Sequence, residues 1–271
     1  MAMKPISSHE NPRFKALRTL AGDHREPRRR GEALVDGVHL VALCLEREIA
    51  IRQLLVSESG RDKPEVATLL QSAGSDPLVL SDGLFRELTS IETPVGIAAV
   101  IAIPAESVEP IGGDAVCLDV VQDPGNVGSI LRTAAAAGVH DVLLGTGCAG
   151  AWTPRVLRAG QGAHFGLRIR ERVDLAAMLA ECHRTTIATV VGQGSDLFDL
   201  DLRAPIVWLI GSEGTGLSPE LVAAAARRAT ISLAATTESL NVVAATAVCL
   251  FEMARQRRVA TRCGEKFLRS Q

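Results

Sequence analysis

From Ala115 onward, short runs, most of them strongly apolar, recur with helix-length segments between them: Ala115 to Val121, Val139 to Leu144, Leu167 to Arg170, Thr185 to Val191, Ile206 to Ile210 and Thr230 to Leu233. A strand that is apolar on both faces has to be covered on both faces, so this half of the chain is restricted to a parallel sheet between layers of helices. On general grounds such a sheet is doubly wound and unknotted, and its ligands sit at the carboxyl ends of the strands. Residues 1–103 alternate as well. A short basic helix is expected over Asn11 to Leu20, a polar, arginine-rich loop over Gly22 to Gly31, and then strands and helices up to the apolar run Val95 to Ile103. Pro104 to Gly113 carries two prolines and two glycines and has little to bury. The α/β chain therefore divides into a smaller α/β domain (1–103), a linker (104–113) and a parallel-sheet domain (114–271).

One strand end carries more than a turn requires. Val207 to Ser218 reads VWLIGSEGTGLS, an apolar run closing in Gly211, Gly214 and Gly216, with Ser218 as cap and Pro219 as first residue of a helix. Glycines permit positive φ and let a ligand approach the backbone closely. A plain tight turn uses glycine too, but Glu213 has no turn-forming role. From Gly211 the spacing is one residue away from a phosphate-binding G-x-x-x-x-G-K-[ST] loop. Leu217 replaces its lysine, which argues against a nucleotide triphosphatase.

Two further segments stand at strand ends. Asn126 to Thr133 (NVGSILRT) opens a helix with Arg132 about two turns in, and Glu238 to Asn241 (ESLN) precedes a long apolar helix. Asn126 and Ser239 each suit a helix cap. Arg132 is harder to assign to structure, because four alanines follow one residue later and few charges lie near it on the helix. Gly145, Gly147 and Gly150 complete a G-x-G-x-x-G motif. Thr153-Pro154 reads as the start of the next helix, however, which leaves Gly150 outside it and argues against a dinucleotide site.

The formal net charge of −2 conceals two basic ends: residues 1–30 hold eight basic against three acidic side chains, and residues 255–271 hold six against one. With Arg155, Arg158, Arg168, Arg170 and Arg172 between them, these clusters point to a polyanionic partner. Aromatics make up only 3% and tyrosine is absent, so platforms for stacking single-stranded bases are few. Six cysteines without C-x-x-C spacing give no expectation of a disulfide framework or a metal site. No run of about 18 apolar residues is present and the N-terminus lacks the apolar core of a signal peptide, so a cytoplasmic protein with no membrane partner is expected.

Taken together and in order, the three strand-end segments resemble the three motifs of the SpoU/TrmH family of RNA ribose 2′-O-methyltransferases. The matching stretches are Asn126 to Thr133, Ile210 to Ser218, and Ile231 followed by Glu238 to Asn241; Arg158 to Phe165 also resembles a family segment. The resemblance spans residues 115 to about 257, and residues 6–103 are similar, less specifically, to the RNA-substrate-binding domain of many members. It implies a SPOUT-type trefoil knot, S-adenosylmethionine bound within it, and a homodimer with sites at the subunit interface. It further implies cofactor contacts from Val191, Gly211, Ile231 and Leu240. Arg132 would be the catalytic residue, with Asn126, Glu213, Ser239 and Asn241 supporting it.

A guanidinium with a pKa above about 12 is poorly suited to be the general base. On physical grounds Arg132 would hold the phosphate beside the target ribose, while Glu213 or the phosphate takes the proton. The expected substrate is ribosomal RNA, because of the long N-terminal domain, ahead of transfer RNA. The alternative is an RNA-binding or ribosome-assembly protein in which methylation is secondary.

Overall fold

The computed structural model describes residues 5–89, 91 and 93–268, with side chains as far as Ala260. Lys4 and, in the basic C-terminal segment, the side chains of Arg262, Cys263, Lys266 and Arg269 lie outside the described residues. The chain forms two compact units: Met1–Ala105 together with Gly150–Phe165, and Glu106–Ala149 together with Gly166–Gln271.

In the first unit, β1 (Glu32–Asp36), β2 (Ile51–Ser57), β3 (Leu78–Leu80) and β4 (Ile97–Ala102) form a sheet in the order β1-β4-β2-β3. Strand β4 is antiparallel to β1 and β2, and β2 and β3 are parallel. Helices α1 (Pro12–Gly22) and α5 (Asp82–Leu88) contribute Phe14, Leu20 and Phe85 to a core shared with Leu34, Leu55 and Leu80 of the strands. Helices α3 (Val38–Glu46) and α4 (Pro64–Ala73) pack together, and α3 also contacts β4. The stretch Gly22 to Gly31, expected to be a loop, contains the short helix α2 (Glu26–Arg30). Glu26 accepts two hydrogen bonds of 2.7 Å from the Arg29 guanidinium, an i,i+3 pair that supports a helical turn in a segment whose composition reads as loop.

The second unit is built on seven strands: β5 (Ala115–Leu118), β6 (Asp141–Gly145), β7 (Arg168–Val173), β8 (Thr185–Thr189), β9 (Ser195–Asp196), β10 (Ile206–Ile210) and β11 (Arg227–Thr230). Their order is β7-β6-β5-β10-β8-β11-β9, and every neighbouring pair is parallel. Helices α6 (Pro124–Ala137), α8 (Leu175–Ala180), α9 (Pro219–Ala224) and α10 (Val242–Leu268) belong to this unit, and α6 packs on α10. All five residues of β10 are buried, as an apolar central strand requires. Strand β10 enters between β5 and β8, which both precede it in the chain, so the strand order reverses around it. Strand β11 starts earlier than the apolar pattern suggests: it opens with two exposed arginines, and its limits are set by pairing with Ile187 to Thr189 of β8. Strand β9 has only two residues and no hydrophobic signature.

Helix α7 (Pro154–Gly160) packs on β1 in the first unit, where Trp152, Val156, Leu157 and His164 are buried. The chain thus passes between the units at 105/106, 149/150 and 165/166, not only within 104–113. Linker composition marks the first crossing; the other two depend on an apolar face finding its cover far away in sequence.

Candidate active site

The loops after three adjacent strands, β10, β8 and β11, surround a cavity of about 890 Å³ in the second unit. Its walls are residues 189–192, 210–217, 229–233 and 237–240, with Val222 of α9 and Val242, Ala245 and Cys249 of α10. The position is the carboxyl end of a parallel sheet where strand order reverses, which is where open α/β sheets bind ligands.

The loop after β10 is tight because Ser212 and Gly216 exchange backbone hydrogen bonds of 3.1 and 3.0 Å. Two of its three glycines are required, for different reasons. A Cβ at Gly211 would collide with the backbone of Gly216 and Leu217, and Gly216 has φ of +69°. Gly214 neither adopts positive φ nor has neighbours crowding its Cβ position, so nothing within the chain requires glycine there, and its open side is free for the close approach of a ligand. Ser218 occupies the cap position of α9, but its hydroxyl accepts no cap bond; instead its amide donates to the Asp119 carboxylate at 2.8 Å. Asp119, at the end of β5, thereby holds the exit of the loop. The sequence places Asp119 inside the apolar run Ala115 to Val121 and gives it no role; a carboxylate interrupting that run is the available signal.

Val191, Gly211, Glu213, Ile231, Ser239 and Leu240 all line the cavity. Val191 is 71% exposed and Leu240 37%, so both offer apolar surface that a ligand could cover. Asn126 joins this group through Glu213, whose carboxylate accepts a hydrogen bond from the Asn126 side-chain amide. The cap explanation fails for Asn126 and Ser239. Asp123 caps α6, accepting from the Asn126 backbone amide at 2.8 Å, and Asn241 caps α10, accepting from Val243 at 2.9 Å. Asn241 therefore fixes the last turn of the 231–241 loop. Arg132 is not among the lining residues. It is exposed on α6, six positions beyond Asn126 and so about a third of a turn away around the helix, with no hydrogen bond or ion pair among the described residues. Gly150 lies outside α7, which starts at Pro154, as the reading against a dinucleotide site anticipated.

The charged residues of the wall are two carboxylates, Glu213 and Glu238, and among the described residues no lysine, arginine or histidine lines it. Several wall hydroxyls are already engaged: Thr189 donates to the Leu209 carbonyl, Thr230 accepts from the Gly192 amide, Ser232 donates to Asp196, and Ser212 bonds Thr215. Burial pushes the Cys249 thiol up to about 12, so it is a packing residue and not a nucleophile. A wall of this kind repels phosphates and accommodates a cationic, partly apolar small molecule. The sulfonium, adenine and aliphatic tail of S-adenosylmethionine fit it.

Fold and site thus define an α/β enzyme with a cavity at the carboxyl end of its parallel sheet. The chain belongs to the SpoU rRNA Methylase family, which residues 114–251 match, and residues 11–99 match the MRM3-like substrate binding domain. It is 30% identical over 254 residues to the 23S rRNA (guanosine(2553)-2′-O)-methyltransferase RlmP of Bacillus subtilis, covering 93% of this chain and 99% of that one. The 23S rRNA (uridine(2479)-2′-O)-methyltransferase of Streptomyces viridochromogenes is also 30% identical, over 94% of this chain and 93% of the relative. Among solved structures, the SpoU methyltransferase AviRb from Streptomyces viridochromogenes in complex with AdoMet superposes with a TM-score of 0.80 at 28% identity, covering 92% of this chain and 100% of the other.

Proposed function

We propose that this chain transfers a methyl group from S-adenosylmethionine to a ribose 2′-hydroxyl of ribosomal RNA. The observation that carries this reading is the hydrogen bond from Asn126 to Glu213, which ties the first motif to a cavity whose walls are the second and third. Relatives covering nearly the whole chain are named as 23S rRNA 2′-O-methyltransferases. Val191, Gly211, Ile231 and Leu240 would hold the cofactor, which when bound supplies an electrophilic methyl group. The Asn126 amide occupies one oxygen of Glu213 and leaves the other to receive the proton of the 2′-hydroxyl. Ser239 and the capping Asn241 shape the loop beside it. Arg132 would grip the phosphate next to the target ribose and stabilise developing negative charge.

Arg132 does not reach the cavity wall of its own chain, and Phe251 and Val259 leave apolar surface exposed on α10 at 45% and 50%. Both observations support a homodimer in which the site is completed at the subunit interface. The late entry of β10 between β5 and β8 suits a trefoil knot in the second unit. Among the described residues no helix is long and apolar enough to cross a membrane, and we place the enzyme in the cytoplasm beside its RNA. The first unit, residues 1–105 with 150–165, would bind RNA, and the second, residues 106–149 with 166–271, would perform the chemistry. Mapping ribose methylation in ribosomal RNA from cells with and without this protein tests the reading: one 2′-O-methyl group should vanish with the gene. An unchanged ribosomal map, with a loss in transfer RNA instead, would reassign the substrate. Sedimentation at micromolar concentration should show a dimer.

A further inference from the structure

We propose that Glu238 makes this cavity discriminate by charge, holding the cationic cofactor and releasing the neutral thioether that remains after transfer. The proposal rests on the reading that the cavity is the cofactor site. Of the two carboxylates in the wall, Glu213 has an oxygen committed to Asn126, whereas Glu238 is exposed and makes no hydrogen bond or ion pair among the described residues. Among the described residues no basic side chain lines the cavity to neutralise either one. Neighbouring Thr237 and Ser239 also have hydroxyls without a hydrogen-bond partner among the described residues, whereas the wall hydroxyls of Thr189, Ser212, Thr215, Thr230 and Ser232 are engaged. The 237–239 segment is therefore the part of the wall whose polar groups remain available to a ligand.

The chemistry of the reaction changes the ligand's charge. S-adenosylmethionine carries a sulfonium, an ammonium and a carboxylate, one net positive charge. When the methyl carbon leaves sulfur for the ribose oxygen, the electron pair of the broken bond stays on sulfur and the hydroxyl proton goes to a base. S-adenosylhomocysteine is then electrically neutral overall. A carboxylate without a counter-ion among the described residues attracts the first and is nearly indifferent to the second, by a Coulomb term that survives, reduced, at a solvent-exposed wall. A purely structural Glu238, favourably placed ahead of the α10 N-terminus, would not distinguish the two ligands.

The test is calorimetric titration of the full-length protein with S-adenosylmethionine and, separately, with S-adenosylhomocysteine. Glu238→Gln should weaken S-adenosylmethionine about tenfold and S-adenosylhomocysteine less than twofold, with an unchanged melting temperature, and Glu238→Asp should restore most of the preference. Equal weakening of both ligands, or of neither, overturns the proposal. Val191→Arg separates this from the cavity assignment. Its site is largely exposed, so the fold should tolerate it, and a long cation there should abolish binding of both ligands. Wild-type binding of both by Val191→Arg would overturn the cavity assignment and the proposal together.

Discussion

At the scale of single residues, two side chains make opposite demands on their surroundings. Arg132 is exposed and unpaired among the described residues, so replacing it should leave fold and cofactor binding intact. Lysine keeps the charge and helix propensity but lacks the planar fork that can hold a phosphate oxygen and the ribose region in fixed geometry. Arg132→Lys should lower single-turnover transfer from tritiated S-adenosylmethionine roughly a hundredfold to a thousandfold, the usual cost of one preorganised electrostatic contact. Activity within about twofold of wild type would make Arg132 an ordinary surface residue.

His164 is the reverse case, 1% exposed beside Trp152. Its Nε2 lies 2.8 Å from the Ala151 carbonyl and its Nδ1 has no hydrogen-bond partner among the described residues. Burial depresses its pKa from 6.5 to about 4. Between those values the unfolded chain takes up a proton that the folded chain refuses. The neutral ring's contribution is therefore complete above about pH 6.5 and is lost as pH falls toward 4, by up to about 3 kcal/mol. Urea midpoints should fall across that window, and His164→Gln should flatten the slope there. Equal slopes in both proteins would show that other groups control it.

At the scale of elements, α10 is the piece on which the cavity depends, because Val242, Ala245 and Cys249 form part of its wall. What holds the helix is a polar clamp lower down. Asp114, just ahead of β5, accepts from the Arg257 guanidinium, with one bond of 2.9 Å, and from the Ile206 amide at the start of β10 at 2.8 Å. Gln256 bonds both the Leu200 carbonyl and the Leu202 amide at 2.9 Å. Higher on the helix, Met253 takes the Trp208 indole N–H at 3.5 Å. Asp114→Ala would leave Arg257 and the Ile206 amide without that acceptor and should cost about 1.5–3 kcal/mol in chemical denaturation, the range for hydrogen bonds to charged groups. It should also weaken S-adenosylmethionine binding, since the same helix carries the wall. A loss of stability with unchanged affinity would show that the upper turns of α10 are held independently.

At the scale of the whole molecule, the basic N-terminal segment is more selective than its composition suggests. Arg29 is paired with Glu26 and Arg30 with Glu32, while Arg25 and Arg28 have no ion pair among the described residues. The free pair should contact phosphate. Arg25→Glu with Arg28→Glu should weaken RNA binding and reduce the slope of log affinity against log salt by about 1–2, as fewer counterions are released. Arg29→Ala should instead lower stability with little change in that slope. Truncation at residue 105 is a poor way to isolate the chemistry, because Val156, Leu157 and His164 would lose the cover they have in the first unit.

Sequence alone determined whatever depends on neighbours in the chain. The strands Glu32–Asp36, Ile51–Ser57 and Ile206–Ile210 and the helix Val38–Glu46 have the limits that apolar periodicity and turn residues imply. The three strand-end motifs were legible for the same reason, since each is a run of adjacent residues with unusual chemistry. Tertiary structure alone decided that β10 enters between β5 and β8 and that residues 150–165 belong with the first unit. It also decided that Asn126 reaches Glu213, that Arg132 stays away from the cavity, and that Glu238 is the carboxylate left unpaired among the described residues. These are pairings between residues tens of positions apart, selected by which buried faces and polar groups satisfy one another, and local hydrophobic periodicity carries no term for them.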